Sequence, residues 1–259
     1  MTTILFNKYQ GAGNDFIIID NREGVFNPEN SVLICKLCDR RFGIGADGLI
    51  LISRSREYDF EMKYFNSDGF EGSMCGNGGR CSADFSIRTG IAGKKLVFKA
   101  IDGVHKAISE DGIIRLQMND VHNPALIKGS YFINTGSPHY VIFKKDVKEI
   151  DVNGEGKKFR WSEDFAPGGT NVNFVETEQN GIYVRTFERG VEEETLSCGT
   201  GVTASAIASV LTGHFDTKSV SVRTMGGNLS VSLNVTGNDI TDIWLSGPAT
   251  FVFKGEIEI

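Results

Sequence analysis

A short Cys-Gly-x-Gly turn occurs twice in this chain, and each copy leads into a segment rich in small and apolar residues. The first copy is Ser73-Met-Cys-Gly-Asn-Gly-Gly-Arg80 and the second is Ser197-Cys-Gly-Thr-Gly201. When the copies are aligned on their cysteines, Gly recurs at the first and third following positions, Ala at the eighth, and Thr-Gly at the end. Each copy therefore predicts a glycine turn and then a helix of about four turns that closes at a C-terminal glycine.

The spacing of the two copies predicts a duplicated domain. Cys75 and Cys198 are 123 positions apart in a chain of 259 residues, and short β-rich runs surround each of them. We expect an α/β (α+β) fold of two pseudo-symmetric halves, 1–120 and 121–248, each a mixed, largely antiparallel sheet wrapped around a central helix. Clefts between domains are common places for small-molecule sites, so we expect the active site in the cleft between the halves.

Periodicity and turn residues give an expected order of elements. Asn27-Pro28 reads as a helix start, and Glu110-Asp111-Gly112 reads as a hairpin turn. Helices are expected at 28–40, 75–89, 155–161 and 198–212. Strands are expected at 3–9, 16–20, 49–53, 60–66, 95–100, 104–109, 113–118, 130–135, 139–144, 148–152, 171–177, 181–188, 218–224, 228–235, 240–246 and 249–254.

Composition limits the function classes. The chain has a net charge of −6 and no run of like-charged residues, which argues against a nucleic-acid-binding surface. No stretch approaches 18 apolar residues, and the N-terminus lacks an apolar segment of signal-peptide length, so we expect a cytoplasmic protein without a membrane partner. Five cysteines are an odd number in a chain too large to need disulfides, so we expect reduced thiols.

The two repeated cysteines are the candidate catalytic groups. A thiol at a helix N-terminus lies near unpaired backbone N–H groups and the positive end of the helix dipole, and there its pKa can fall from about 8.5 into roughly the 3.5–7.5 range. Flanking glycines allow a ligand to approach those N–H groups, which suit a carboxylate. Each half therefore offers a base beside a carboxylate-binding turn.

Two such thiols suit inversion at a carbon. One base removes a proton from one face, and an acid on the opposite face replaces it, so the resting pair holds one thiolate and one thiol with coupled titration. The transition state would be stabilised electrostatically, and no metal or cofactor is implied. Cys35 and Cys38 form a lone Cys-x-x-Cys pair on a predicted helix, which falls short of the four ligands of a structural zinc site.

Eight motifs together resemble the diaminopimelate epimerase family almost from end to end. They are Gly11-Ala-Gly-Asn-Asp-Phe16, Gly43-Ile-Gly-Ala-Asp-Gly48, Phe65-Asn-Ser-Asp-Gly69, Met74-Cys-Gly-Asn-Gly-Gly-Arg80, Gly136-Ser-Pro-His139, Gly169-Thr-Asn-Val172, Glu188-Arg-Gly190 and Glu194-Thr-Leu-Ser-Cys-Gly-Thr-Gly201. The resemblance implies a pyridoxal-phosphate-independent enzyme of lysine and peptidoglycan biosynthesis that interconverts LL- and meso-2,6-diaminoheptanedioate. It also implies two similar α/β halves, a last strand (about 249–259) that returns to the first half, and a homodimer.

The resemblance assigns roles to individual residues. In the LL-to-meso direction it implies that Cys75 is the general acid and Cys198 the general base, with His139 and Glu188 beside the thiols. The backbone at Gly76-Asn77 and Gly199-Thr200 would hold the carboxylate of the reacting centre. The rest of the substrate would be bound by Asn14, Asn66, Asn171, Glu188 and Arg189. The planar guanidinium of Arg189 suits the distal carboxylate.

The chain departs from the family pattern at three places. Family members commonly have the sequence Arg-Gly-x-Gly-Glu-Thr before the second cysteine. Here the segment is Arg189-Gly-Val-Glu-Glu-Glu-Thr195, which is one residue longer and lacks the second glycine. We expect this loop to bulge outward. Some members have Asn where Ser137 stands and Gln where Gly48 stands, so those two side-chain contacts are not carried over.

Three other functions stay open at this point. A proline or hydroxyproline racemase also pairs two cysteines, although its first turn usually carries His where Asn77 stands. A thiol redox protein would use the same sulfurs, but no Cys-x-x-Cys pair lies at a predicted helix N-terminus. A non-catalytic amino-acid binding module would not require two thiols.

Overall fold

The computed structural model describes residues 2–215 and 218–259. Within these residues the helices are α1 (Ser31–Cys38), α2 (Gly76–Arg88), α3 (Val152–Arg160) and α4 (Gly199–Leu211). The strands are β1 (Thr3–Gly11), β2 (Asn14–Asp20), β3 (Gly48–Ser53), β4 (Phe60–Asn66), β5 (Lys95–Ala100), β6 (Gly103–Glu110), β7 (Ile113–Gln117), β8 (Val121–His122), β9 (Ala125–Ile127), β10 (Ser130–Asn134), β11 (Pro138–Phe143), β12 (Asn171–Glu178), β13 (Gly181–Glu188), β14 (Glu193–Thr195), β15 (Ser219–Thr224), β16 (Gly227–Thr236), β17 (Asp239–Pro248) and β18 (Thr250–Glu258). Across this part of the chain, no helix has the length and apolar character needed to cross a membrane.

Backbone contacts divide the chain into two compact units. The first unit contains the residues up to Leu116 together with Gly247–Ile259, and the second contains Gln117–Ser246. The C-terminal strand β18 therefore belongs to the first unit, where it pairs antiparallel with β1.

The sheet of the first unit alternates antiparallel and parallel pairs. β1 pairs antiparallel with β2, β2 parallel with β3, β3 antiparallel with β4, β4 parallel with β5, and β5 antiparallel with β6. Parallel neighbours need a crossover connection. Here α1 lies in the first crossover and α2 in the second.

The second unit repeats this order strand for strand. β10 pairs antiparallel with β11, β11 parallel with β12, β12 antiparallel with β13, β13 parallel with β15, and β15 antiparallel with β16. The crossovers contain α3 and α4, in the places that α1 and α2 hold in the first unit. The expected α+β class, with a mixed and largely antiparallel sheet around a helix in each half, is confirmed.

The two central helices begin and end alike. Each has 13 residues, a cysteine at the N-cap, and a Thr-Gly end whose glycine adopts a left-handed φ, +73° at Gly90 and +74° at Gly213. The hydroxyls of Thr89 and Thr212 donate to carbonyls one turn earlier, at 2.7 and 2.9 Å. Glycine is suited to this closing position because it lacks the Cβ that opposes a positive φ. The predictions for both helices are confirmed.

Small residues allow α4 to be buried on all sides. Every residue from Gly199 to Ser209 is buried, and the helix packs on β10, β11, β12, β13, β15 and β16. Its hydroxyl groups donate within the helix, for example from Ser205 to the carbonyl of Gly201 at 2.7 Å. Since buried polar groups need partners, these internal bonds allow Ser and Thr in a helix that lies inside the sheet.

The first predicted helix, at 28–40, is shorter than expected. α1 begins after Asn30, whose side-chain oxygen accepts from the Leu33 N–H at 3.1 Å, so Asn30 rather than Asn27 is the N-cap. The side chain of Asn27 instead accepts from the Glu29 N–H at 3.0 Å. Both asparagines stabilise turns, and the apolar face of α1 begins only after the second.

The strand predicted at 148–152 is wrong. A 3-10 turn (Val147–Glu149) occupies this place and α3 begins at Val152. The Arg185 guanidinium, from β13, donates to the carbonyls of Val147, Lys148 and Ile150 at 2.9–3.0 Å. Consecutive carbonyls of a strand point in opposite directions, so those of Val147 and Lys148 could not both reach one guanidinium from a strand. A contact 35 or more positions away is therefore incompatible with the expected strand.

Candidate active site

Cys75 lies at the N-cap of α2, as the glycine turn predicts. Its backbone is extended, with φ −103° and ψ 115°, and its sulfur accepts a hydrogen bond from the Gly78 N–H at 3.4 Å. The Sγ atom is also 3.5 Å from Oδ1 of Asn14, and the residue is half-buried. The thiol therefore has a backbone donor on one side and an amide oxygen on the other.

The amide groups beside Cys75 have defined orientations. Asn14 donates from Nδ2 to the Asp47 carboxylate at 2.7 Å, which leaves Oδ1 of Asn14 as the atom that faces Cys75. Asn77 accepts from Nη2 of Arg80 at 3.0 Å through Oδ1, and its Nδ2 group donates to Oδ1 of Asn14 at 3.3 Å. Because a guanidinium only donates and a carboxylate accepts, these two contacts exclude the flipped amides.

An ion network anchors Asp47. Arg40 bridges Asp15 and Asp47, with 2.7 Å to each carboxylate, and Lys8 lies 2.7 Å from Asp15. Burial raises the pKa of Asp15, but the hydrogen bonds from Arg40 and Lys8 outweigh it and hold that pKa well below its usual range. Asp47 is thereby held against Asn14.

Arg80 lies fully buried in α2, one turn after Gly76. Its guanidinium donates to neutral acceptors, the Asn77 side chain and the carbonyls of Gly76 and Pro248, at 3.0–3.4 Å. Burial lowers the pKa of Arg80 from its ordinary value, which still leaves a cation at neutral pH. A buried positive charge next to a cysteine N-cap favours a nearby anion.

Asn66 and Gly48 mark the same end of the first sheet. In the strand register Phe16 pairs with Gly48, and Gly48 pairs with Asn66, so Asn66 lies near the end of the sheet where β2 begins at Asn14. A Cβ at Gly48 would come within 2.5 Å of the Tyr64 ring and of a backbone carbonyl. The aromatic ring of Tyr64 occupies the space that a larger residue at 48 would need, which explains this departure from the family pattern.

Cys198 lies at the N-cap of α4 and is buried. Its backbone, with φ −113° and ψ 114°, closely matches that of Cys75. Its sulfur is 3.4 Å from the hydroxyl oxygen of Thr200. The carbonyl of Thr200 accepts from the Thr135 hydroxyl at 2.9 Å, which holds this turn against the loop before β11.

His139 is joined to this second thiol by Thr200. The ring is fully buried, with Nε2 2.9 Å from the Thr200 hydroxyl oxygen and Nδ1 3.1 Å from Nδ2 of Asn173. Burial, with a smaller effect from the positive charge of Arg189, lowers the pKa of His139 to about 3. The ring is therefore neutral at physiological pH.

Asn171 connects three of the sequence motifs. Its Nδ2 group donates to the Ser137 hydroxyl and to the Pro138 carbonyl, both at 2.8 Å, and its Oδ1 atom accepts from the Arg189 N–H at 2.8 Å. Ser137, which stands where some relatives have Asn, therefore orients Asn171. Glu188 is the last residue of β13, directly before Arg189.

The lengthened loop after Arg189 is held by glutamates. Glu192 adopts a left-handed φ of +62°, its N–H donates to the Glu188 carbonyl at 2.8 Å, and its carboxylate lies 2.8 Å from the buried Arg160 guanidinium. Glu194 forms an ion pair of 2.6 Å with Arg185. The loop thus closes a short hairpin between β13 and β14, which was not predicted.

The structure brings together the predicted residues of each unit. In the first unit Asn14, Gly76 and Asn77 surround Cys75, and Asn66 lies at the same sheet edge. In the second unit His139, Thr200 and Gly199 lie at the start of α4, with Asn171, Glu188 and Arg189 at the β12–β13 edge. Sequence reasoning missed the polar residues behind them, Asp47, Arg80, Asn173 and Thr186. Arg80 could have been singled out as a long cation in a helix of small residues.

No disulfide joins any of the five cysteines, all of which lie in the described part of the chain. Cys81 and Cys38 are buried, and burial raises the pKa of Cys38 to about 12, so these two serve as apolar residues. Within residues 2–215 and 218–259, no three His, Cys, Asp or Glu side chains gather as a metal site.

Comparison with solved structures shows the same fold at low sequence identity. A phenazine biosynthesis protein of the PhzF family from Bacillus anthracis aligns with a TM-score of 0.78 and 16% identity over 100% of both chains. A hydroxyproline epimerase from Agrobacterium vitis, solved with bound trans-4-hydroxy-L-proline, aligns with a TM-score of 0.74 and 13% identity over 99% of this chain and 92% of that one.

Sequence comparison identifies the family. The diaminopimelate epimerase family model matches residues 6–122 and 131–252. The diaminopimelate epimerase of Flavobacterium psychrophilum is 50% identical over 252 residues, which cover 96% of this chain and 98% of that protein. That of Chlorobaculum tepidum is 43% identical over 260 residues, covering 96% and 99%. With both cysteine turns lying inside the matched residues, the chain belongs to the diaminopimelate epimerase family of isomerases.

Proposed function

We propose that the protein interconverts LL- and meso-2,6-diaminoheptanedioate, a step in lysine and peptidoglycan precursor biosynthesis. Membership of the family supports the substrate. The observation that carries the chemistry is the repeated placement of a cysteine at the N-cap of a 13-residue helix, once in each unit and at the same point of the same strand order. A two-base inversion needs two such groups.

In the LL-to-meso direction, the Cys198 thiolate removes the α-proton and becomes a thiol. The Cys75 thiol delivers its own proton to the other face of the same carbon and becomes a thiolate. The reverse reaction exchanges the roles, so charge and protons balance in each turnover. The carbanion-like transition state places negative charge on the substrate carboxylate, which the N–H groups at Gly76-Asn77 and Gly199-Thr200 would stabilise.

The remaining polar groups would bind the rest of a long, doubly zwitterionic substrate. Arg189 is the proposed partner of the distal carboxylate, because its guanidinium can bind two oxygens at once. The amides of Asn14, Asn66 and Asn171, with the Glu188 carboxylate, would bind the ammonium and carboxylate groups. The scheme uses two thiols and backbone N–H groups and requires neither a metal nor a cofactor.

The two compact units support the proposed division into epimerase halves, 1–120 with 249–259 and 121–248.

A homodimer is proposed as well. Leu5, Val252 and Phe253 expose 69%, 52% and 45% of their surface on the adjacent strands β1 and β18. Successive strand residues point to opposite faces, so these side chains do not form one patch, but exposed apolar groups on this strand pair suit a protein partner. Phe253→Asp should shift the mass measured by sedimentation from dimer to monomer, whereas a wild-type monomer would refute the assembly.

The cellular location proposed is the cytoplasm, where reduced thiols persist.

The chemistry is tested by replacing each thiol. Cys75→Ser and Cys198→Ser should each lower kcat by about 10²–10⁴-fold, the usual contribution of a general acid or base. Circular dichroism and melting should match the wild type. Cys81→Ser, in the helix that Cys75 caps, is the matched control for a thiol without a catalytic role. Near-normal turnover in either catalytic variant would exclude the two-base scheme.

A further inference from the structure

Behind the second thiol lies a buried chain of polar side chains with no assigned role. Asn173, on β12, is fully buried between His139 and Thr186. Its Oδ1 atom accepts from the Thr186 hydroxyl at 2.9 Å, and its Nδ2 group lies 3.1 Å from Nδ1 of His139. A Cβ at Gly201 would come within 2.4 Å of Asn173 Oδ1, so the glycine turn of α4 packs directly on this amide.

The orientation of the Asn173 amide is fixed by its neighbours. Nδ2 also faces the backbone carbonyl of Tyr140, at 3.5 Å. A carbonyl oxygen can only accept, so the nitrogen rather than the oxygen of Asn173 must lie on the His139 side. Nδ2 therefore donates to Nδ1 of His139.

That orientation determines the tautomer of His139. A neutral imidazole has one N–H donor and one acceptor. Since Nδ1 accepts from Asn173, the proton of the neutral ring is on Nε2, which donates to the Thr200 hydroxyl oxygen 2.9 Å away. The single proton of that hydroxyl is then available to the Cys198 sulfur, 3.4 Å away.

In the first unit the side-chain contact of the thiol has the opposite polarity, although the Cys75 sulfur also accepts from the Gly78 N–H at 3.4 Å. Oδ1 of Asn14, which already accepts from Asn77, is the atom that faces Cys75, so Cys75 can contact it only as a donor, in its thiol form. A hydrogen bond received favours thiolate, and one donated favours thiol. The surroundings of the two sulfurs thus differ although the helix turns that carry them match.

We propose that Asn173 and Thr186 are positioning residues that set the Nε2–H tautomer of His139, so that the Thr200 hydroxyl donates to Cys198 and makes it the thiolate of the resting pair. The proposal rests on the proposed two-thiol function. We call this series of side chains, Thr186, Asn173, His139 and Thr200, the relay. Each member donates a hydrogen bond to the next, Thr200 donates to Cys198, and no proton is transferred along the series. The proton that Cys198 gains comes from the substrate.

The charges around the ring agree with a neutral relay. Arg189, which follows β13, acts on His139 through space and opposes its protonation. Glu188 lies one residue before Arg189 and is the nearest acidic residue along that strand. On β12 the ring contacts the neutral amide of Asn173, whose oxygen accepts from the neutral Thr186 hydroxyl on β13. Protonation of His139 would make Nδ1 a donor facing the Asn173 amide, which the buried arrangement disfavours.

The first test needs no variant. Long-range ¹H–¹⁵N NMR of the uniformly labelled protein distinguishes the two neutral tautomers of each of the four histidines, and His139→Asn assigns the signal. The expected result at neutral pH is His139 with its proton on Nε2. A proton on Nδ1, or a charged ring, would overturn the proposal. This result does not depend on any catalytic activity.

The second test reverses the relay. Asn173→Asp replaces the donor with an acceptor of the same shape, which should move the histidine proton to Nδ1 and turn the Thr200 hydroxyl toward Nε2. The pH midpoint of Cys198 alkylation by iodoacetamide, read by peptide mass spectrometry, should then rise by about one unit. Cys75, read in the same sample, is the internal control and should keep its midpoint. Thr186→Val should cause a smaller rise of the same sign.

A double-mutant cycle separates the relay from a loosened fold or a direct charge effect. Thr200→Val should itself raise the Cys198 midpoint, and adding Asn173→Asp to it should raise the midpoint no further. An equal additional rise in the Thr200→Val background would show that residue 173 acts by another route and overturn the proposal. Equal shifts at Cys75 and Cys198 would also overturn it. If the midpoints behave as expected but no substrate is epimerised, the relay stands and the proposed function fails.

Discussion

The hydroxyl oxygen of Thr200 lies 2.9 Å from Nε2 of His139 and 3.4 Å from the sulfur of Cys198. This threonine therefore connects a buried neutral imidazole with a candidate catalytic thiol. The corresponding N-cap in the first unit, Cys75, meets the Asn14 side chain instead. A duplicated scaffold thus presents two similar turns with different polar surroundings, which suits one acid and one base.

Burial of neutral His139 should make stability depend on pH. Its pKa is lowered to about 3 in the folded protein, against about 6.5 when unfolded, so the unfolded state binds more protons between these values. The contribution to the free energy of unfolding is full above about pH 6.5 and decreases as the pH falls toward 3. By linkage it amounts to a few kcal/mol.

Urea unfolding at a series of pH values between 4 and 7.5 measures this slope. His139→Gln should have a shallower slope over the same range, because glutamine does not titrate. His122→Gln replaces an exposed histidine that lies 2.8 Å from Asp239 and is the control for a histidine substitution at the surface. Identical slopes in all three proteins would contradict a buried neutral His139.

Replacing Arg80 should impair catalysis more than folding of α2. The guanidinium orients the Asn77 amide and carries a buried positive charge beside the Cys75 turn. Arg80→Met should lower kcat by up to about 10²-fold, because misplacing a group near the reacting centre can have that effect. Arg88→Met, an exposed arginine on the same helix, should retain activity. Equal activity of the two variants in a steady-state assay would refute a role for the buried charge.

The ion pair between Arg160 and Glu192 should hold the lengthened loop. Glu192→Gln leaves a buried guanidinium without its carboxylate and frees the turn that follows Arg189. We expect a loss of about 1–2 kcal/mol in the free energy of unfolding, because Glu192 is partly exposed.

The same change should raise KM for substrate more than it lowers kcat, since Arg189 is the proposed contact of the distal carboxylate. Glu193→Gln, an exposed neighbour, is the control and should alter neither stability nor KM. An unchanged KM in the Glu192 variant would show that the loop is positioned without this ion pair.

The sequence predicted best those features that depend on nearby residues. Both central helices were expected within one residue of their ends, because a cysteine-glycine turn and a closing Thr-Gly are local signals. The hairpin at Asp111-Gly112 was expected for the same reason, and both residues adopt a left-handed φ there. The division into two similar halves was expected from the spacing of the cysteines, whereas the strand order that the halves share was not predicted.

Features fixed by distant contacts could not be predicted in this way. Arg185 draws carbonyls of 147–150 out of an expected strand. His139 and Thr200 are separated by 61 positions, so their hydrogen bond has no local sign in the sequence. Asn173 looked like an ordinary strand residue. Asn171 and Asn173 lie two positions apart on β12, and this spacing does not predict which side chains the buried Asn173 amide will contact.

The central claim is proton exchange at the α-carbon of diaminopimelate. Proton NMR of the purified, reduced protein in D₂O with LL-diaminopimelate tests it most directly, with L-proline and trans-4-hydroxy-L-proline in parallel samples. We expect the α-proton signal of the first compound to disappear as meso product forms, and no exchange on the other two. Exchange on a proline alone would assign the protein to the racemase branch, and no exchange on any of the three would contradict the account.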